Sequence, residues 1–151
     1  MSFLRILTVS YTHLRAHETP EHLVCRLLLE KKAFSYLKKN KINLLCLAGF
    51  MRILSKEFIK NCKFKIVNIH PSLLPKYKGL NTHERAIKAG DKYAGSTVHY
   101  VTAKLDSGKK ILQTKIKILK KDKPHSLANR VLKAEHIIYP KAVDIVCNKI
   151  I

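Results

Sequence analysis

A chain of 151 residues, 46% of them hydrophobic, is one domain's worth and can bury a core; it holds no apolar run of membrane-spanning length, and Met1 to Val9 is too short and too quickly interrupted for a signal peptide. The formal charge of +20 could draw nucleic acid or anionic small molecules, but the lysines are spread along the chain and there is no Trp to stack on bases, so a lysine-rich surface is expected, with neither nucleic acid nor a membrane as partner. Cys25, Cys46, Cys62 and Cys147 show no C-x-x-C spacing and read as reduced structural thiols of a cytoplasmic protein, without a zinc site.

Residues 1–32 do not fit the pattern of the remaining chain. His13, His17 and His22 with Glu18 and Glu21 could be drawn as a metal cluster, but they read as polar residues around Pro20. Val9 to Thr19 resembles one reading frame of a transposase adapter used in DNA sequencing libraries. Residues 1–32 are therefore expected to be a non-native leader, and 33–151 the domain.

Phe34 to Lys39 reads as the end of a helix, with lysines where the dipole favours cations. Ile42 to Ala48 is a continuous apolar run bounded by Asn40 and Gly49, the pattern of a parallel strand buried on both faces. Phe50 to Leu54 comes next as a loop carrying apolar residues. Ser55 suits the N-cap of a short helix to about Lys60. Lys65 to Ile69 is a β-branched strand that ends before Pro71 and Pro75. The loop from Pro71 to Asn81 is long, as functional loops often are. Thr82 is expected to cap a helix to about Ala89, closed by Gly90. Gly95 to Thr102 reads as a strand and Leu105 to Gly108 as a turn. Ile111 to Leu119 alternates apolar and polar residues, a strand with one wet face near a sheet edge. Asp122 and Pro124 open a final helix with Leu127, Val131, Leu132, Ile137 and Ile138 as its core stripe, and Pro140 is expected to kink or restart it.

Chemistry concentrates at the end of the strand after Lys65. Asn68 and His70 are two apart, so they share a face at a carboxyl end, where α/β folds bind ligands. An amide beside an imidazole suits a developing oxyanion. An isolated N-x-H more often means a turn-forming Asn and a satisfied His. On their own, Asp106 reads as a turn residue, His99 as a structural or supporting histidine, and Glu135 equally as a solvated helix residue or a ligand contact. No Ser or Cys stands beside a base in a familiar nucleophile motif.

Context changes that balance. Asn68–Pro75, Gly79–Ala86, Gly95–Thr102 and Leu105–Gly108 occur in one order, with Ala48–Leu54 upstream and Glu135–Pro140 downstream. Together they resemble phosphoribosylglycinamide formyltransferase, over Phe34 to about Val146. The resemblance implies an α/β, Rossmann-like formyltransferase fold, with a mostly parallel central sheet flanked by helices. It implies formyl transfer from 10-formyltetrahydrofolate, as co-substrate, to the amine of glycinamide ribonucleotide in purine (IMP) biosynthesis, without a metal. Asn68, His70 and Asp106 would be catalytic. Met51, Arg52, Ile53 and Leu54, with Asn68, would bind the folate, and Glu135 would meet the substrate ribose. Lys109-Lys110 departs from the Gly-Pro type of sequence usual after the aspartate. The family's glycine-rich phosphate loop finds no counterpart, since the five glycines begin at Gly49, and the domain is expected to be N-terminally truncated. A non-catalytic folate-binding fragment is the alternative. Methionyl-tRNA formyltransferase and formyltetrahydrofolate hydrolase share the N-x-H and Asp arrangement, but the Pro71–Pro75 and Gly79–Arg85 blocks favour the purine enzyme. Oligomeric state is left open.

Overall fold

The computed structural model describes residues 5–10, 20–50 and 52–150. Its strands are β1 (Ile6–Ser10), β2 (Leu44–Ala48), β3 (Lys65–His70), β4 (Tyr93–Tyr100) and β5 (Lys110–Lys117), adjacent in that order in one sheet. β1, β2 and β3 pair in parallel, whereas β3–β4 and β4–β5 pair antiparallel. The sheet is mixed in its pairing and mostly parallel in direction, because β4 alone opposes the other four. The helices are α1 (Pro20–Lys39), α2 (Lys56–Asn61), α3 (Thr82–Lys88) and α4 (Pro124–Cys147). Among the described residues no helix is long and apolar enough to cross a membrane.

The segment read as a leader contributes to this sheet: Ile6–Ser10 runs in register with Leu44–Ala48. Tyr11–Thr19 lies outside the described residues, and the candidate cluster of His13, His17, His22, Glu18 and Glu21 lies outside the described side chains.

Side-chain alternation along the central strands builds two half-cores. Leu45, Leu47 and Ile66 pack with Leu37 of α1 and Phe58 of α2. Leu44, Cys46 and Val67 pack with Val146 and Cys147 of α4, and Ile69 and Val98 with Ala142 of the same helix. Leu44 and Val67 are fully buried, and each such side chain stabilises the fold by roughly 1.5–3 kcal/mol. A strand covered on both faces needs a continuous apolar run, as β2 has. β5 has an exposed row at Lys110, Gln113, Lys115 and Lys117 and lies at the sheet edge, as its alternation predicted.

Three local expectations change. Ser55 caps α2 as expected, accepting the Phe58 N–H, but Thr82 does not cap α3. Asn81 holds that position with a left-handed φ of 55° and no side-chain cap bond, and Thr82 is the buried first residue of the helix. Pro140 does not restart α4, which runs as one helix from Pro124 to Cys147 across it. One proline removes one N–H, and Tyr139 before it and Ala142 after it both pack onto the sheet. Leu132 and Ile137 are about half exposed, because the stripe that meets the sheet is Leu127, Val131, Ala142 and Val146.

Candidate active site

β3 places its residues by pleat alone. Ile66 faces the α1–α2 half-core while Val67 and Ile69 face α4. Asn68 and His70 therefore share the Ile66 face at the carboxyl end of the strand. A cavity of about 580 Å3 opens there. β2, its succeeding loop and α2 line it with Leu47, Phe50, Ile53, Leu54 and Ile59, all apolar. The first turn of α3 and the facing stretch of α4 add Thr82, His83, His125 and Glu135.

Asp106 joins this floor from the turn after β4, with a left-handed φ of 43°. Its Oδ2 lies 3.5 Å from His70 Nδ1 and its Oδ1 lies 3.6 Å from His99 Nε2. All three side chains are at least nine-tenths buried. The far nitrogen of each imidazole is already used. His70 Nε2 donates to the Tyr77 carbonyl at 2.9 Å, and His99 Nδ1 donates to the Tyr100 carbonyl at 2.9 Å. In a neutral ring the nitrogen facing Asp106 would then carry a lone pair against a carboxylate lone pair. The cluster is attractive when it holds at least one further proton, and the two histidines compete for it across one carboxylate. Burial pushes the His99 pKa down, while its bond to Tyr100 and the Asp106 charge pull it back up.

The neighbouring loop is clamped to the same carboxylate. Gly79 N–H donates to Asp106 Oδ2 at 2.9 Å. The root of that loop hangs on Thr97, whose hydroxyl donates to the Ser72 carbonyl at 2.6 Å and accepts from Leu74 N–H and from Gln113 Nε2. Lys110, one of the two lysines after the turn, reaches the Leu74 carbonyl at 3.4 Å.

The fold thus brings Asn68, His70, Asp106, Arg52, Ile53, Leu54 and Glu135 to one cavity. Met51 lies outside the described residues. Leu54 also packs on the α1–α2 core, and Ile53 is 58% exposed. Three histidines that the sequence assigns no site role, His83, His99 and His125, line the cavity as well. For His99 the signal exists only as strand register, since β4 sets it opposite Asn68. Among the described residues no three His, Cys, Asp or Glu side chains gather as a metal site.

Glu135 is not a solvated helix residue. Its Oε1 is buried with no hydrogen-bond partner among the described residues, and burial pushes its pKa up to about 7. A carboxyl group raised in the folded state stabilises the fold fully below its ordinary pKa and loses that contribution as pH rises through about 7. The melting temperature should therefore fall between pH 5 and pH 8 by an amount corresponding to roughly 1–2 kcal/mol, allowing for its partial exposure to the cavity. Glu135→Gln should flatten that part of the profile; a parallel slope in both proteins would assign it to another group.

The fold and this cavity define a class, and the chain belongs to it: the formyl transferase family, whose model matches residues 6–143. Among its relatives is the phosphoribosylglycinamide formyltransferase of Haemophilus influenzae, 45% identical over 108 residues, which are 72% of this chain and 51% of that protein. The human trifunctional purine biosynthetic protein adenosine-3 is 45% identical over 112 residues, 74% of this chain and 11% of that protein. The crystal structure of phosphoribosylglycinamide formyltransferase from Anaplasma phagocytophilum superposes with a TM-score of 0.76 at 47% identity, covering 79% of this chain and 58% of that one. The chain spans about half the length of the single-function relatives it matches and a small part of the trifunctional ones.

Proposed function

We propose that this chain transfers the formyl group of 10-formyltetrahydrofolate to the amine of glycinamide ribonucleotide, as a cytoplasmic enzyme of purine synthesis. The observation that carries the reading is the buried Asp106 between His70 and His99, in one cavity with an Asn68 amide oxygen that has no hydrogen-bond partner among the described residues. The matched relatives named phosphoribosylglycinamide formyltransferase supply the amine substrate by name.

Attack of the amine on the formyl carbon makes a C–N bond and a tetrahedral oxyanion. Asn68 would donate its amide N–H to that oxygen, and a protonated His70 would place positive charge beside it. Breaking the bond to the folate nitrogen requires a proton there, and the attacking amine must lose one. The proton shared by His70 and Asp106 supplies the first, and the second replaces it, so the enzyme ends the cycle unchanged. No enzyme nucleophile is needed, in keeping with a cavity floor of amide, imidazole and carboxylate. The apolar residues Phe50, Ile53 and Leu54 suit the flat ring of the folate, with Arg52 beside them.

The test is calorimetric titration with a non-transferable folate analogue and, separately, with glycinamide ribonucleotide, and then an assay of formyl transfer. Binding of both with transfer is expected. Failure of the folate analogue to bind overturns the reading. Folate binding without nucleotide binding or transfer would mark this chain as a folate-binding piece, the reading that its lack of glycines before Gly49 favours.

A further inference from the structure

Five buried side-chain atoms have no hydrogen-bond partner among the described residues: Asn68 Oδ1, His83 Nδ1, Ser96 Oγ, His99 Nε2 and Glu135 Oε1. All but Ser96 belong to residues lining the cavity. Buried polar groups are nearly always paired, so a group of orphans around one cavity marks where a ligand's polar atoms belong. Asn68, His99 and Glu135 already have a place in the catalytic floor or the expected ribose contact. His83 has none.

His83 stands in the first turn of α3, and α3 packs against the α4 that carries Glu135. Burial, and then the charge of His70, push its pKa below the ordinary histidine value, which favours the neutral ring. A neutral imidazole offers one donor and one acceptor nitrogen. Glu135, with its raised pKa, likewise alternates between donor and acceptor near neutral pH. Two such groups match alcohol hydroxyls, which donate and accept at once. They match poorly a phosphate, which asks for fixed positive donors. The apolar residues from β2 and α2 leave the α3–α4 portion of the cavity for a polar, hydroxyl-bearing molecule.

We propose that His83 is a substrate-binding residue whose Nδ1 hydrogen-bonds a sugar hydroxyl of the amine substrate. The assignment rests on the reading that this cavity takes a sugar-bearing amine. It makes His83 a determinant of which amine is accepted, and it leaves the folate to other residues.

The test uses glycinamide ribonucleotide and a folate analogue as separate probes on the full chain. His83→Ala should weaken nucleotide binding about tenfold, the size of one lost hydrogen bond, and change folate binding by less than about twofold. His83→Asn, whose side-chain amide can take the place of Nδ1, should recover most of the loss. In the parent chain, saturating nucleotide should shift the 15N ring signals of His83, a readout that needs no variant. An unmoved ring signal, absent nucleotide binding, or unchanged nucleotide affinity in a folded His83→Ala protein overturns the assignment. Failure of the folate probe alone would instead bring down the general reading of the cavity, with the His83 signal still reporting on the nucleotide.

Discussion

Asp106→Asn should lower formyl transfer by roughly a hundred- to ten-thousandfold while leaving the fold intact. The substitution keeps the size of the side chain and removes its charge. Its oxygens meet both histidines, at 3.5 Å and 3.6 Å, and one of them also receives the Gly79 N–H. An amide can accept from Gly79 and still cannot hold a proton between two imidazoles. The same change should push the His99 pKa further down, because burial already lowers it and the Asp106 charge is one of the influences opposing that. Steady-state rates and 15N ring shifts across pH check both effects. A variant retaining more than about a tenth of parental turnover would remove Asp106 from the proton path.

Gly108→Ala should destabilise the protein by on the order of 3 kcal/mol, lowering the melting temperature by about 10 °C. A Cβ there would lie 1.7 Å from the Tyr100 carbonyl oxygen and 2.7 Å from its carbon. Neither is a flexible side chain that could move aside. Tyr100 ends β4, and its N–H bonds the Lys109 carbonyl at 3.0 Å, so the turn is fastened to the strand at the point of the clash. Relief requires the turn to lift, and Asp106 sits two residues before it. Activity should therefore fall more than stability alone accounts for. Gly90→Ala is the control: nothing lies within 4 Å of its added Cβ, so only its φ of 68° is penalised, at about 1–2 kcal/mol. Thermal melts of the two variants beside the parent check the comparison; equal shifts would mean that the close approach at Gly108 is not what holds the turn.

Much of the site was legible locally. The β-branched run before Asn68 and the prolines after His70 mark a strand and its end, and alternation alone puts the two polar residues on one face. The apolar loop after Gly49 was readable as composition, and its Phe50, Ile53 and Leu54 line the cavity. Other features were misread for definable reasons. Thr82 has the chemistry of a cap, yet the chain turns at Asn81, which tolerates left-handed φ. Pro140 breaks helices in isolation, but packing on the sheet from Tyr139 and Ala142 outweighs one lost hydrogen bond.

Glu135 and His99 show where local reading stops. Nothing in the residues around Glu135 says that its helix turns it toward a cavity rather than to water. Nothing around His99 says that it shares a carboxylate with His70. The sequence by itself determined the elements from Phe34 onward, the face shared by Asn68 and His70, and the family blocks, because these depend on neighbours along the chain. Only the tertiary structure decided that Asp106 lies between two histidines, that Glu135 Oε1 and His83 Nδ1 are buried with no hydrogen-bond partner among the described residues, and that Ile6–Ser10 joins the sheet. Those facts depend on strand register and helix packing, which are set by contacts between residues far apart in the chain and leave no periodic trace in it.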